Sequence, residues 1–285
     1  MAINYKNGHN VTDGVVKNLK DLKYRVEVEK KASLLIIDGQ QGEGKSTLAV
    51  ICGDVYNGEN IDLETQYAIG GDEFIKKLKI CFELKKKVLI YDEAGDFSSR
   101  SSLTKFNRNL SRVFETFRRF QIFIILVLPC VKTLDRKLFD DGVPRCLLHC
   151  HGRGLQEGKI WGYDGVKAQR IVARMKKVEV PQVVYKDPRI SQNFNAFFVN
   201  ISPERAKILD NISLAGKMDI LDNLIDKPDG LLTYESIAHN LGKSKGWASV
   251  VVNNLNIKPI KIIKKVKYFD PAILSVIMGE VKIHV

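Results

Sequence analysis

The chain has 285 residues, of which 45% are hydrophobic, and its formal net charge is +12 at pH 7. This length fits one large domain or two unequal ones, and the composition can fill a buried core. No apolar run is long enough to span a membrane, the N-terminus lacks a signal-peptide layout, and the five cysteines form no C-x-x-C pair. We therefore expect a protein without membrane spans or disulfides, located in the cytoplasm (the host cytoplasm if it is viral).

The first elements in chain order predict a lead-in, a strand, a loop and a helix. The first thirty residues are polar and are expected to form a short lead-in. Residues 34–37 are continuously apolar, which favours a strand buried on both faces in a parallel sheet. A glycine-rich loop follows, and a helix is predicted over residues 46–52.

The loop matches the phosphate-binding pattern G-x-x-x-x-G-K-[ST] at Gly39, Gly44, Lys45 and Ser46. We expect backbone N–H groups to cradle the phosphates of ATP, Lys45 to reach the β- and γ-phosphates, and Ser46 to bind Mg²⁺. A chance glycine loop is the alternative, but the loop lies between a predicted strand and helix, as this chemistry requires. The residues predicted to bind the nucleotide are Gly39, Gln40, Gln41, Gly42, Glu43, Gly44, Lys45, Ser46 and Thr47, the last at the α-phosphate.

The next elements end in two acidic residues. An amphipathic helix is predicted over residues 72–84 and a second buried strand over 88–91, followed by Asp92 and Glu93. In a Walker B arrangement Asp92 holds Mg²⁺ through water and Glu93 polarises the attacking water as general base. Alone, the two residues could simply begin a loop. Together with the phosphate-binding pattern they predict hydrolysis, and the adjacent D-E pair is more typical of motor ATPases than of kinases.

Further elements complete an α/β pattern. A helix is predicted over residues 103–120 and strands over 122–128 and 144–151, whereas residues 159–198 are assigned to the sheet edge and linker, with strand-like pieces at 160–161 and 178–185. This alternation predicts a mostly parallel central sheet in an ATPase domain of residues 1–200, with its core at about residues 30–155.

Positive charge is concentrated after the second strand. Positions 100–136 hold eight basic and two acidic residues, so 8 − 2 = +6, half of the total excess. A solvated basic face is the plain alternative to contact with a polyanion. Motor ATPases also need a cation at the γ-phosphate, often from a neighbouring subunit, and the candidates are Arg118, Arg119 and Arg145. For each arginine a surface salt bridge or a nucleic-acid contact remains an open alternative.

Residues 201–285 predict a small winged helix-turn-helix domain. A helix is expected over residues 217–225, Thr233 caps a helix over 234–241, and Ser244 caps one over 245–255. Alternation over residues 260–269 predicts a β-wing. The candidate DNA contacts are Lys243, Lys245, Trp247, Ser249, Lys261, Lys264, Lys265 and Lys267. A protein-binding winged helix is the alternative, and Trp247 could instead pack in the core of the module.

Four potential metal ligands cluster at Cys146, His149, Cys150 and His151. If these residues form a strand, the cysteines lie on one face with the histidines on the other. Four ligands from one strand then cannot converge on a tetrahedral zinc ion, and we expect no zinc site here.

The order of the motifs carries a resemblance. G-Q-Q-G-E-G-K-S-T-L-A, V-L-I-Y-D-E-A-G, S-R-x5-F-N-R-x-L-x4-E-T-F-R and F-I-I-L-V-L-P-x4-L-D follow one another over residues 34–154. This arrangement resembles the FtsK/HerA-type ATPases, with the closest similarity to zonular-occludens-toxin-like and genome-packaging ATPases of viruses and plasmids. The resemblance implies a RecA-like core, a ring that is commonly a hexamer, and DNA translocation through its pore.

The resemblance maps Lys45, Ser46, Asp92 and Glu93 onto the nucleotide, metal and base positions. The chain departs from the family at the strand after Walker B, where a polar sensor residue is usual. Here that strand ends Val127-Leu128-Pro129, and Gln121 lies at its start.

Three functions are compatible with the sequence. The first is a ring-forming, Mg²⁺-dependent ATPase that translocates or packages DNA for a virus or other mobile element. The second is an initiator or helicase-loader-like ATPase switch whose winged helix binds DNA. The third is a nucleotide-gated assembly or regulatory protein whose winged helix binds protein.

Overall fold

The strands and helices have the following bounds in the computed structural model, which describes residues 10–31, 33–92, 121–134, 144–152, 158–225, 231–263 and 266–281. The strands are β1 (Leu34–Asp38), β2 (Tyr67–Ile69), β3 (Val88–Asp92), β4 (Phe123–Leu128), β5 (Pro144–Cys150), β6 (Lys159–Asp164), β7 (Phe194–Phe197), β8 (Lys261–Ile263) and β9 (Val266–Tyr268). The helices are α1 (Asp13–Glu27), α2 (Lys45–Asn57), α3 (Leu63–Gln66), α4 (Gly71–Glu83), α5 (Gly165–Met175), α6 (Pro203–Ile225), α7 (Tyr234–Asn240), α8 (Lys245–Asn254) and α9 (Ile273–Val281).

A seven-stranded mixed sheet forms the centre of the fold, in the order β2-β3-β4-β1-β5-β6-β7. Strands β2, β3, β4, β1 and β5 run parallel, and β6 is antiparallel to both β5 and β7. The prediction of an α/β fold with a mostly parallel sheet is confirmed. Because β4 lies between β1 and β3, the carboxyl ends of β1 and β3 are two strand positions apart at the same edge.

Helices cover both faces of this sheet, which explains the continuous apolar strands. Residues of α4 and α5 share one buried cluster with alternate residues of β1, β3 and β4. On the other face α2 packs on the sheet, where the Tyr56 ring stacks on Phe123 at 4.2 Å between centroids. Every residue of β1, β3 and β4 is therefore buried, as expected for parallel strands between two helical layers.

The expected polar lead-in is wrong, because half of it forms helix α1. Its buried residues recur at helical spacing and are Val15, Val16, Leu19, Leu22 and Val26. Polar residues outnumber them and mask this periodicity when only the average composition of the segment is considered. The helix contacts α2, so it belongs to the core of the fold.

The interpretation of residues 159–198 is partly confirmed. Strands β6 and β7 form the expected sheet edge. The strand-like assignment of residues 178–185 is wrong, since residues Pro181–Lys186 and Pro188–Ile190 are 3₁₀ turns. Proline at the start of each turn removes a backbone donor that a strand would need. Helix α5 was not predicted, and the helix predicted over residues 103–120 lies outside the described residues.

The chain divides into two compact units, Met1–Gly216 and Lys217–Val285, whereas the sequence placed the division at residue 200. Within the second unit, Thr233 and Ser244 cap α7 and α8 as predicted, each accepting a hydrogen bond at 3.2 Å from the backbone N–H three residues later. Strands β8 and β9 form a two-stranded antiparallel sheet. The core of this unit includes Ile237, Val252 and Phe269.

No helix among the described ranges is long and apolar enough to cross a membrane.

Candidate functional site

The glycine loop (residues 39–44) links β1 to α2 and takes conformations that favour glycine. Gly39 has φ 149° and Gly44 has φ 76°, both in the region that L side chains rarely adopt. Space is also limited, since a Cβ on Gly39 would lie 2.7 Å from the Cys150 carbonyl oxygen. A Cβ on Gly44 would lie 2.8 Å from the Phe198 ring. The ends of β5 and β7 therefore fix the backbone path of the loop.

Two side chains turn back onto this loop. The carboxylate of Glu43, which is buried, accepts a hydrogen bond from the Gln40 backbone N–H at 2.5 Å. The Lys45 ammonium donates to the Gln40 carbonyl oxygen at 2.7 Å. The ammonium group is thus held over the loop by the loop's own backbone, where it can meet an anion lying on the N-terminus of α2.

The Ser46 hydroxyl at the start of α2 meets the carboxylate that ends β3. It donates to Asp92 Oδ2 at 2.6 Å. The Tyr67 hydroxyl donates to the same oxygen, and Asp92 is buried with a relative exposure of 5%. The two residues predicted to bind the metal are therefore in direct contact.

Sequence reasoning missed Tyr67. Strand β2 has only three residues, Tyr67–Ile69, and no periodic pattern marks so short a strand. Its position beside β3 is what places the phenol against Asp92. The only sequence signal is an aromatic residue with a hydroxyl next to two small or apolar residues, which is too common to assign a role.

Ser46 and Asp92 have the chemistry of a magnesium site. A hydroxyl and a carboxylate are hard oxygen ligands, which Mg²⁺ prefers, usually together with water and substrate phosphates. Lys45 and the N-terminus of α2 add positive potential beside them. This combination suits a bound triphosphate with its metal.

A second buried polar group lies immediately before the loop. Asp38, the last residue of β1, is 1% exposed and is contacted from three other segments. The Val131 backbone N–H donates to Oδ2 at 3.0 Å, the Tyr185 hydroxyl donates to Oδ2 at 2.5 Å, and His149 Nδ1 lies 2.8 Å from Oδ1. We call this group the Asp38 cluster (Asp38, Val131, His149 and Tyr185).

The aromatic members of the Asp38 cluster support one another. The His149 and Tyr185 rings stack at 3.6 Å between centroids. Burial, and then the negative charge of Asp38, raise the pKa of Tyr185 well above its usual value, so the hydroxyl stays protonated and donates. This cluster could not be predicted from the sequence, because its members are far apart in the chain and no single motif joins them.

The cysteines and histidines of β5 do not converge. His149 contacts Asp38 within the Asp38 cluster, and the His151 ring stacks on Trp161 at 3.9 Å between centroids. Cys146 and Cys150 lie on the other side, near Cys52 of α2. Within the described ranges, no group of three or more histidine, cysteine, aspartate or glutamate residues could hold a metal ion.

Arg145 lies far from the glycine loop of its own chain. It is the second residue of β5, at the amino edge of the sheet, whereas the loop lies at the carboxyl edge. The five residues from Arg145 to the end of β5 span ~17 Å. Arg145 therefore cannot contact an anion bound at the glycine loop of its own chain. The other predicted catalytic residues, Glu93, Arg118 and Arg119, lie outside the described residues.

No polar sensor residue occupies the end of β4, which finishes at Leu128. Gln121 lies before the amino end of that strand, where its side-chain oxygen accepts a hydrogen bond from Lys30 at 2.8 Å. It is therefore at the opposite edge from the glycine loop and cannot contact a phosphate there.

The candidate DNA contacts divide into exposed and packed residues. Lys243 and Lys245 are exposed, and Lys245 lies 3.6 Å from Glu235. Trp247 is partly buried and packs against the core of the second unit. Lys261 and Lys267 belong to strands β8 and β9, and Ser249 is half-buried in α8. Lys264 and Lys265 lie outside the described residues.

Comparison with known proteins assigns no family. No protein-family model matches the chain, and no curated protein matches it. A functional proposal therefore depends on the sequence motifs and on the contacts of the glycine loop.

Proposed function

We propose that this protein is a Mg²⁺-dependent ATPase that acts on DNA, as a ring-forming translocation or packaging motor. The contact between Ser46 and Asp92 at 2.6 Å is the observation that carries the proposal. It joins the residue after the loop lysine to an acidic residue at the end of another buried strand. Two separate sequence motifs thereby meet at one edge of the sheet, which a chance glycine loop would not require.

In this proposal the described residues act on the triphosphate from the positions that they hold in the structure. The glycine loop and the N-terminus of α2 bind phosphate oxygens, and Lys45 neutralises charge at the β- and γ-phosphates. Ser46 and Asp92 hold Mg²⁺, which supplies electrostatic stabilisation of the developing charge when bound. Tyr67 keeps the Asp92 carboxylate oriented. Glu93, the next residue, acts as general base on the attacking water.

The topology supports a motor ATPase of the RecA-like type. The parallel order β2-β3-β4-β1-β5 is compatible with that fold, including one strand between the two motif strands. Arg145 can complete a site only in trans, because it lies at the opposite sheet edge from its own loop. A ring in which each subunit supplies an arginine to its neighbour satisfies this geometry.

The proposed DNA contacts rest on charge and on the second unit. The net charge is +12, with +6 within positions 100–136. In the second unit, two capped helices followed by a two-stranded sheet are consistent with a winged helix. The exposed Lys243 and Lys245 lie before α8 and at its start, where a DNA-reading helix would approach phosphates.

An ATPase assay with DNA tests the proposal. The rate is measured without DNA and with single- or double-stranded DNA, and the oligomeric mass is determined in the same samples. DNA should stimulate turnover in a length-dependent way, and the active species should be an oligomer. A sequence-specific footprint with slow turnover would instead favour the initiator-like switch. A rate that no nucleic acid changes would favour the nucleotide-gated regulatory protein.

Two substitutions test the roles of individual residues. Lys45→Ala should abolish nucleotide binding, and Glu93→Gln should keep binding and lose turnover. Lys20→Ala on the exposed face of α1 and Glu83→Gln at the end of α4 are matched controls, and both should behave as wild type. Equal loss of ATP binding in Lys45→Ala and Glu93→Gln would contradict the role of Glu93 as base.

A further inference from the structure

We infer that the cleft beside the glycine loop binds the nucleoside of the triphosphate and favours adenine over guanine. This inference rests on the proposed function. It assigns the binding site of the ribose and base, which the sequence motifs do not identify. The nucleoside cleft, as we call it, has a volume of about 260 Å³. It is lined by Gly42, Glu43, Gly44, Gly158, Phe198, Val199 and Asn200.

The position of the metal ligands fixes which side of the loop the nucleoside occupies. Ser46 meets Asp92 on the β3 side of β1. Gly158 precedes β6 and Asn200 follows β7, so the nucleoside cleft lies on the other side of β1. A triphosphate whose terminal phosphates lie with the metal must extend its ribose and base away from it. The cleft is the space that this direction reaches.

The walls of the cleft are held firmly by backbone hydrogen bonds. The Phe198 N–H donates to the Gly158 carbonyl at 2.9 Å, and the Val199 N–H donates to the Asn10 carbonyl at 2.9 Å. The Phe198 ring is buried against Gly44. The cleft is therefore a preformed surface that joins the end of β7 directly to the glycine loop.

The chemistry of the lining suits a flat heterocycle. Gly42, Gly44 and Gly158 present backbone without side chains, and Val199 adds an apolar wall. Asn200 is exposed at the rim, and its side-chain amide makes no hydrogen bond with the part of the chain that is described, although its carbonyl accepts from Asn10 at 3.0 Å. The amide is thus available to read the edge of a base.

Asn200 distinguishes the two purines. A side-chain amide offers one donor and one acceptor, which match N7 and the amino group of adenine. Guanine presents two acceptors on the same edge, O6 and N7, which are best met by a cationic side chain. Among the lining residues that the structure describes, the only charged side chain is the Glu43 carboxylate, which would not donate to them. We therefore expect ATP to bind more tightly than GTP.

Binding measurements with three probes test this inference. Dissociation constants are measured for Mg·ATP, Mg·GTP and Mg·tripolyphosphate, which has the phosphates without the nucleoside. Asn200→Ala should weaken ATP binding by roughly tenfold and reduce the preference over GTP, with tripolyphosphate unchanged. Val199→Trp fills the cleft while its backbone hydrogen bond to Asn10 remains, and it should abolish the advantage of ATP over tripolyphosphate. Asn60→Ala, an exposed asparagine beyond the far end of α2, is the matched control.

The outcomes separate the inference from the proposed function. If wild type binds ATP and both variants keep its affinity and its preference over GTP, the nucleoside lies elsewhere and the inference is overturned while the function stands. If wild type binds neither ATP nor tripolyphosphate, the proposed function fails and the inference fails with it. Unchanged tripolyphosphate binding in a variant shows that its glycine loop is folded.

Discussion

Replacing Asp38 with alanine should strongly destabilise the first unit, because three donors share this carboxylate. The Val131 N–H, the Tyr185 hydroxyl and His149 would each lose their acceptor in a buried position. An unsatisfied buried donor costs about 1–3 kcal/mol, so three cost about 3–9 kcal/mol. Total stabilities of folded domains are about 5–15 kcal/mol, so this single change removes a large part of the stability.

Asp38→Asn should cost much less, because an amide can replace most of these hydrogen bonds. Its oxygen can occupy the Oδ2 position and accept from both Val131 and Tyr185. Its NH₂ group then faces His149 Nδ1, which accepts when the ring carries its proton on Nε2. Only charge assistance is lost, and we expect a cost of about 1–2 kcal/mol.

Urea unfolding measures both changes locally. The Trp161 ring lies 5.8 Å from the His149 ring between centroids. Because the chain has two tryptophans, a Trp247→Phe background makes Trp161 the sole tryptophan that reports unfolding. Asp210→Ala on the exposed surface of α6 is the matched control and should stay within about 0.5 kcal/mol of wild type. A loss below about 1 kcal/mol for Asp38→Ala, or equal losses for alanine and asparagine, would refute the role of a shared acceptor.

Three other perturbations have defined outcomes. Tyr67→Phe removes one of the donors that the described residues supply to Asp92 Oδ2. It should weaken Mn²⁺ binding, measured by electron paramagnetic resonance, and lower the free energy of unfolding by about 1.5–3 kcal/mol. Arg205→Met breaks a two-point ion pair with Asp54, at 2.9 and 3.1 Å, and should lower the free energy of unfolding by about 1–3 kcal/mol. Burial raises the pKa of Cys130, so its labelling by a thiol reagent should be slow at pH 8 and accelerate as the pH rises further.

Each of these predictions has a control within the chain. Tyr24→Phe, at an exposed tyrosine of α1, should leave Mn²⁺ binding unchanged. Breaking the exposed Lys79–Glu83 pair should cost less than about 0.5 kcal/mol, and an equal cost for the Arg205 pair would contradict its importance. Cys130→Ser should remove the first labelling phase, because the other four thiols are buried. Labelling of wild type that is fast and independent of pH would contradict the raised pKa.

The central strands and the residues of the glycine loop could be predicted because their signals are local. Continuous apolar runs at residues 34–37 and 88–91 predicted the bounds of β1 and β3 to within one residue. The caps at Thr233 and Ser244 depend on neighbours three positions away and were likewise predictable. Local chemistry determines these features almost independently of the rest of the fold.

The missed features depend on distant parts of the chain. Tyr67 reaches Asp92 only because β2 pairs with β3, and a three-residue strand has no pattern of its own. The Asp38 cluster joins residues that no local motif links. Residues 178–185 contain strand-forming valines and a tyrosine, yet Pro181 and packing against α5 favour 3₁₀ turns there.

These long-range contacts also set the order of events during protein synthesis. The glycine loop is followed directly by α2. The hydrogen bonds of Asp38, in contrast, can form only after His149 and Tyr185 have been synthesised, 111 and 147 residues further along the chain. The ion pair of Asp54 in α2 likewise needs Arg205, which lies 151 residues further along. Closing such long loops is entropically costly and slow, so they form late. A nascent chain therefore exposes its glycine loop outside the ribosome before these partner residues are synthesised, and the contacts of Asp38 and Asp54 are complete only after nearly the whole first unit has been translated.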